Sequence, residues 1–508
     1  MAESIKGMYT RMVTDRESYL QRARNSSKLT IPTLVPDEGT TAHLKFPTPY
    51  QSIGARGVNN LASALLMSLL PPNAPFFRLI LDERERMKMD AIDPSLKNNI
   101  DRAMSDIERA LMRELEINSI RVGTFEALKQ LIVAGNVLLH IPEEGTMRVI
   151  RLENYAISRD AQGMPLKMII KDTISTDTMS DSLREAAAAK MTAGKNTVDI
   201  YTLIRCIPKN KVEVYQEIEG VILEDSHAIY DKEKSPFIPL RMMRVDGEDY
   251  GRGYIEQYLG DLKSLEALTQ AIVEGSAAAS KVLFLGNPNG TTRAKTLAQS
   301  PNGAIREGNA NDVSVLQTQK HADFSIALST MQAIQERLSF AFLLTESTIR
   351  NADRVTAEEV RLVTQSIERQ LGGIYSVLSQ EFQLPLINRF MGRMVKSKSM
   401  PKIPKDLVVP TIVTGIEALG RGNDLNKLDI YLQGVAQTLG PDILGTYLDF
   451  REYLERRASA LGIDTEGLIK SEEQIMQEQQ QQQMQAAAMQ AMPQLMQQGQ
   501  QMQEEVSG

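Results

Sequence analysis

The densest group of side chains able to hold a metal is Asp246-Gly247-Glu248-Asp249. Oxygen-rich turns bind hard cations such as Mg²⁺ or Ca²⁺, and a cation so held can activate water for hydrolysis. A metal-dependent nuclease or hydrolase using Asp246, Glu248 and Asp249 is therefore one function class to weigh. The spacing is not that of an EF-hand loop, and the cluster lies between a strand-like and a helix-like segment. Carboxylates there also serve as an ordinary turn and suit the dipole of the helix that follows. Cys206 has no histidine within several positions, whereas a thiol nucleophile needs an adjacent base. His43, His140, His227 and His321 are scattered without metal-ligand spacing. The chain contains no GxxxxGK[ST], no GxGxxG after a strand, no HExxH and no GxSxG. Gly251-Arg252-Gly253 and Gly420-Arg421-Gly422 are too short to cradle a phosphate and read as helix-flanking turns. What remains is a set of basic residues in loops. Arg350 and Arg354 flank Asn351 and Asp353, and Lys281, Arg293, Lys295 and Arg306 punctuate a polar stretch. Such residues either touch phosphates or are simply solvated.

Composition narrows the classes further. The chain has 508 residues, enough for about three domains. Its net charge of −7 excludes a basic nucleic-acid coat. The single cysteine excludes a disulfide framework and a multi-cysteine zinc site, and fits a reducing compartment. The N-terminus, MAESIKGMYTRMVTDRESYLQRAR, is charged and helical, without an apolar signal core. The apolar run Leu61 to Leu70 stops at Pro71-Pro72, well short of the roughly twenty residues that span a bilayer. It is expected to be a buried helix, with no membrane role. No cofactor is expected.

The elements that position these residues follow from periodicity. Leu96, Ile100, Met104, Ile107, Leu111 and Leu115 share one helix face, after a start signal at Asp93-Pro94. A second helix is expected from about Thr124 to Leu139, with Gly135 inside it at a point of close packing. The pattern then shifts to short β-branched segments: 147–152, 166–172, 198–205, 211–218 and 237–245. In one of them Val212, Val214 and Ile218 take one face and Glu213, Tyr215 and Glu217 the other, before a turn at Glu219-Gly220. A short Ala-rich helix (181–194) interrupts this meander.

From Gly253 the chain returns to helix. Ile255, Tyr258, Leu259, Leu262, Leu265, Leu268 and Ile272 repeat at about 3.5 residues, close to a coiled-coil seam. The run SAAAS (276–280) allows another backbone to come near. A second seam, Phe324, Leu328, Met331, Ile334 or Gln335, Leu338 and Phe342, lies beyond the polar stretch 286–311. Two helices, each roughly 30 Å long, thus flank a polar insert: a stalk with a tip. After a loop at 345–355, Thr356-Ala357-Glu358-Glu359 forms a capping box. The helix it opens runs to about Lys396, with a kink expected at Pro385. Short helices follow to about Leu461. The tail from Gln474 to Gln503 holds fifteen Gln and six Met, a low-complexity segment. The fold class is α+β, mainly helical.

Several long stretches carry a resemblance. ARGVNNLASALLMSLLPP (55–72), FEALKQLIVAGNVLLHIP (125–142), DGEDYGRGYIEQYLGDLKSLEALTQAIV (246–273), RVTAEEVRLVTQSIERQLGGIYSVLSQEFQLPL (354–386) and GIEALGRG (415–422) are similar to the portal, or head-to-tail connector, proteins of short-tailed phages. The autographivirus type of podovirus is the group resembled. The similarity runs in order from about residue 5 to 470, weakens at 286–311 and is lost in the Gln/Met tail.

The resemblance implies a portal-type fold assembled as a ring of about twelve subunits at one capsid vertex, with double-stranded DNA entering and leaving through a central channel. Residues 1–250 then correspond to a wing, 251–282 and 323–344 to two stem helices and 283–322 to a clip. Residues 345–355 correspond to a tunnel loop, 356–410 to a long kinked helix and return to the wing, 411–470 to a crown and 471–508 to a C-terminal tail. Arg350, Asn351 and Arg354 would face DNA in the tunnel loop and channel, and Arg293, Lys295 and Arg306 would be basic residues of the clip surface. The implied partners are a packaging ATPase (the large terminase), the major capsid protein, a scaffolding protein, a tail adaptor or tail tube protein and internal core proteins. The implied location is the head–tail vertex of the virion, with host cytoplasm during assembly. Such a protein is not an enzyme, which agrees with the missing phosphate loop. The charge sign is also consistent: twelve copies at −7 give about −84, which repels phosphate and lets DNA slide, whereas a basic wall would grip it. A helical scaffold or adaptor without a channel is the other class that the residues leave open.

Overall fold

The computed structural model describes residues 4–40, 46–72, 75–81, 94–175, 197–279, 283–316, 321–344, 371–400, 408–412, 430–438, 440 and 453–454. Two compact units emerge, 1–416 and 417–508. In the second, 430–438 are helical and Gly440 has φ 91°. The Ala-rich helix, the loop at 345–355, the capping box at 356–359, the segment 415–422 and the Gln/Met tail lie outside the described residues.

The first unit opens with helix α1 (Ile5–Lys28), capped by Ser4, whose hydroxyl accepts from the Gly7 amide at 3.1 Å. Helix α2 (Ile53–Leu69) follows, then strand β1 (Phe77–Leu81), helix α3 (Pro94–Ile117) and helix α4 (Ile120–Ala134). The predicted start of α3 at Asp93-Pro94 agrees with the structure, and Met104, Leu111 and Leu115 are buried. The helix expected over 124–139 is shorter. It stops at Ala134, because Gly135 adopts φ 75° and terminates it in a left-handed C-cap. Asn136–His140 is instead strand β2, the centre of a three-stranded sheet between β3 (Arg148–Arg151) and β9 (Phe237–Arg241). The segment expected over 237–245 thus ends as a strand at Arg241.

Five antiparallel strands form the larger sheet in the order β4-β5-β6-β7-β8: Tyr155–Arg159, Pro165–Ser175, Thr197–Ile207, Lys211–Ile218 and Val221–Asp231. A three-residue turn (208–210) joins β6 to β7, and a two-residue turn (219–220) joins β7 to β8. Lys209-Asn210 (φ 69° and 55°) and the predicted Glu219-Gly220 (φ 46° and 83°) are left-handed at both positions, as the twist of a tight hairpin demands. Helix α1 covers one face, packing Ile5 and Tyr9 on Ala156, Ile169, Tyr201 and Leu203. Glu217, expected on a polar face, is therefore buried. Its carboxylate accepts the Ile5 amide at 2.7 Å at the start of α1, where a negative charge is favoured. Arg16 of α1 is buried too, and its Nη1 donates to the carbonyls of Leu152, Glu153 and Tyr155 at 2.8–3.0 Å.

Beyond a 3₁₀ turn at Tyr254–Tyr258, helix α5 (Leu259–Ala279) and helix α7 (His321–Ala341) form an antiparallel hairpin. The insert between them holds β10 (Leu283–Gly286), the short helix α6 (Ala294–Ala298) and β11 (Val313–Leu316), with β10 and β11 paired. Residues 371–378 are helical, Ser379–Gln383 form a π turn, and helix α8 (Leu384–Lys396) follows. The kink expected at Pro385 takes this form. Proline at the second position of α8 cannot donate to the carbonyl four residues back, and the wider π turn directly before it accommodates the missing bond. Strand β12 (Val408–Ile412) closes the unit by pairing with β1 across the line drawn between 410 and 411.

Candidate functional site

The three carboxylates of the acidic turn at 246–249 take separate directions. Asp249 accepts the Arg159 amide at 2.7 Å. Glu248 pairs with Arg252 at 2.6 Å, and hydrogen bonds from Arg252 and Tyr19 hold it below the usual carboxylate range. Asp246 is exposed. No group of three or more Asp, Glu, His or Cys side chains converges anywhere among the described residues. Cys206 donates to the Pro165 carbonyl, and burial pushes its thiol pKa up, away from the reactive thiolate. His140 stacks flat on Phe237 at 4.5 Å. Burial, with Arg148 and Arg389 nearby, lowers its pKa to about 4. His227 bonds Glu213 at 2.9 Å on the sheet surface.

The glycine pattern at 251–253 has a backbone role. A Cβ on Gly253 would lie 2.5 Å from the Val133 carbonyl, and one on Gly135 would lie 2.4 Å from the Arg252 carbonyl carbon. Asn136 closes the approach like a strand partner. It donates to the Gly251 carbonyl and accepts the Gly251 amide, both at 2.7 Å. The hairpin thus starts from a fixed point on the body. Its other end is fixed as well. Phe342 packs on Gly57, where a Cβ would meet the ring at 2.3 Å, and Asn60 donates to the carbonyls of Phe342 and Leu343 at 2.9 and 3.0 Å. Tyr254 reaches across the hairpin base to the Ala341 carbonyl at 3.0 Å.

Along the hairpin, Leu262, Leu265, Ile334 and Leu338 are buried. The seam on α7 runs Phe324, Ala327, Met331, Ile334, Leu338, Ala341, alternating steps of three and four. Leu328, expected on it, is 45% exposed, because Ala327 takes its place. The tip is organised by Asp312, a residue not singled out from sequence. Its carboxylate accepts from Thr291 Oγ1 at 3.2 Å and the Thr292 amide at 3.0 Å, and these bonds hold its pKa down. Gly290 lies against that carboxylate. Arg293 caps α6, Lys295 lies within it, and Arg306 donates to Ser300 Oγ at 3.1 Å, so all three gather, exposed, around one small helix. Arg350, Asn351 and Arg354, with Lys281 and His43, lie outside the described residues.

The π turn bolts the helical segment 371–396 to the body. Arg241 of β9, itself buried, pairs with Glu381 of the π turn. Gln383 donates to the Leu69 carbonyl at 2.7 Å, and Arg389 donates to the Ile141 carbonyl at 3.1 Å. None of these partners is adjacent in sequence, so periodicity gave no signal for them.

The described residues thus form a body of helices and sheets, a two-helix hairpin with a polar tip and a helix broken by a π turn. Residues 2–469 match the family model of the bacteriophage head to tail connecting protein, and the chain belongs to that family. It is 42% identical over 485 residues to the portal protein of Escherichia phage T7, covering 94% of this chain and 90% of that one. It is 40% identical to the portal protein of Enterobacteria phage T3 (93% and 89% covered) and 30% identical to that of Enterobacteria phage SP6 (93% and 91%). A chain from the virion of a native gene transfer agent particle matches with a TM-score of 0.38 at 13% identity, covering 81% of this chain and 90% of that one. The protein is a non-enzymatic phage portal, a component of the head–tail connection of the virion. No described helix is long and apolar enough to cross a membrane.

Proposed function

We propose that the chain closes into a ring of about twelve copies at one capsid vertex, through which double-stranded DNA is packaged and later ejected. Residues 1–250 form the wing, the hairpin helices (251–282 and 323–344) the stem, and 283–322 the clip. The clip is the docking platform, first for the packaging ATPase and then for the tail adaptor or tube. The wing and crown (411–470) meet the major capsid, scaffolding and internal core proteins. Rings assemble in the host cytoplasm before entering the virion.

One observation supports this reading most directly. The hairpin has a single buried seam and leaves large apolar side chains uncovered on its outer faces, among them Ile326 and Phe340 at 67% and 66% exposure. Isolated, such a hairpin is poorly covered; neighbours on either side would complete it. In the loop 345–355, Arg350 and Arg354, with Asn351 between them, present rings of positive charge to DNA that otherwise slides past a net-negative wall. Negative-stain images of the purified protein are expected to show uniform rings with a central hole that admits duplex DNA. Arg350→Gln with Arg354→Gln is expected to weaken retention of packaged DNA. Rings without a hole would refute the channel, and unchanged packaging and retention would refute the role of the two arginines.

A further inference from the structure

The two helices of the hairpin differ on the sides turned away from their shared seam. On α7 the outward positions seven residues apart are Ile326, Ala333 and Phe340, all exposed, two of them large. On α5 the outward positions nearest the body are Gly260, Ser264, Ala267 and Ala271, all exposed and small; further along, exposed Glu274 interrupts the stripe before Ala278. One outer edge of the hairpin carries knobs and the other is smooth from Gly260 to Ala271. Among the described residues, the Tyr50 hydroxyl donates to Glu274 at 3.2 Å on the α5 edge, while Gly260, Ser264, Ala267 and Ala271 stay exposed, as do Ile326, Ala333 and Phe340 on α7. A Cβ on Gly260 would meet nothing within 4 Å, so the fold of one copy does not require glycine there.

The register of the hairpin sets which knob meets which smooth position. Inside one chain Gly275 stands opposite Phe324, Thr269 opposite Met331 and Asp261 opposite Arg337. The same antiparallel register puts Phe340 level with Gly260 and Ala333 level with Ala267. Copies related by rotation about an axis along the hairpin keep these levels, so the largest knob meets the residue with no side chain. The charges agree. Exposed Glu336, beside the knob stripe, comes level with exposed Lys263, beside the smooth stripe of the next copy.

We infer that the knob edge of α7, centred on Phe340, docks against the Gly260-centred smooth edge of α5 in a second copy of this chain. The contact is heterologous: each copy offers a different edge to each neighbour, which is the kind of interface that closes rings. The inference rests on the ring reading above and names the surface that closes the ring. Glycine and alanine let the two helix axes approach closely there, and the aromatic ring of Phe340 fills the space left by the absent side chain.

The test is a cysteine pair in the full-length chain on a Cys206→Ser background. Phe340→Cys with Gly260→Cys is expected to give, on mild oxidation, a ladder of covalently linked multimers up to ring size, since the two Cα atoms would lie within disulfide reach. The control is Phe340→Cys with Ala278→Cys, whose positions are about 27 Å apart along the axis, and it is expected to stay unlinked. Gly260→Leu supplies a second arm. It has room within one chain and keeps wild-type helicity, but it is expected to lower the ring fraction at least tenfold. Rings of the Phe340→Cys, Gly260→Cys variant that give no links, or rings that persist in Gly260→Leu, would overturn the contact while leaving the ring intact. An unmodified chain that forms no ring would overturn the ring reading itself.

Discussion

The body and the hairpin use the same apolar residues and bury them very differently. In the body, Leu131, Ile132, Val137, Leu138 and Leu139 are wholly inaccessible, packed between helices and two sheets. In the hairpin each helix buries one stripe and exposes the rest. Buried polar groups follow the same division. Arg16, Arg241 and Arg389 sit inside the body with carbonyl or carboxylate partners, whereas the hairpin pair Arg337–Asp261 is exposed. The body is therefore held by its own long-range contacts, and the hairpin depends on what covers it. In the proposed ring, the hairpin would find that cover in its neighbours, whereas the body would need none.

The contrast can be broken most severely at the ion pair of buried Arg241 with Glu381. Arg241→Met removes the buried partner of the half-buried Glu381 and is expected to destabilise the body by about 1–3 kcal/mol, read as a fall in the unfolding midpoint in urea. A change below about 1 kcal/mol would show that this pair does not hold the π turn to the sheet.

Acid acts on the same region through His140. Its pKa is depressed in the fold, to about 4, so between that value and its unfolded value the unfolded chain binds the extra proton. Its contribution is complete above about pH 6.5 and is lost as the pH falls towards 4, a decline of about 3 kcal/mol. His140→Phe is expected to flatten this part of the pH–stability profile. An unchanged profile would assign the acid sensitivity to other groups.

An effect of the same order is expected where body and hairpin meet. Gly57→Leu forces a side chain into the Phe342 ring and is expected to cost about 1–3 kcal/mol, with the hairpin base protected less from hydrogen exchange. The least effect is expected on the hairpin surface. Asp261→Asn removes an exposed ion pair and is expected to change stability by about 0.2–1 kcal/mol, less at high salt. If Asp261→Asn proved more damaging than Gly57→Leu, the division into a self-held body and a dependent hairpin would be wrong.

Sequence reasoning reached these two regions unequally, and for physical reasons. The hairpin helices are amphipathic along one seam, so their positions followed from spacing, with Leu328 displaced by the smaller Ala327. The strand Asn136–His140 was taken into the preceding helix, because a strand buried on both faces loses its two-residue alternation and resembles a buried helix. Gly135 carried the missing boundary, as a left-handed cap rather than an interior residue. Strands Tyr155–Arg159, Val221–Asp231 and the pair Phe77–Leu81 with Val408–Ile412 were not anticipated, the last because its two halves lie more than 300 residues apart. Glu217, Arg16, Arg241 and Asp312 were missed for a related reason. A polar residue is buried only when a distant partner satisfies it, and that partner does not appear in local pattern. The connector class, by contrast, was recovered through long similar stretches rather than through any motif of chemistry.

The most direct test of the account is native mass spectrometry of the intact, purified chain across a range of salt and protein concentrations. One closed assembly of about twelve copies is expected, in which neighbours on both sides would cover the outer edges of the hairpin. A folded monomer or small open oligomer, unchanged across those conditions, would contradict it and would mean that the exposed faces around Ile326 and Phe340 are stable in water as they stand.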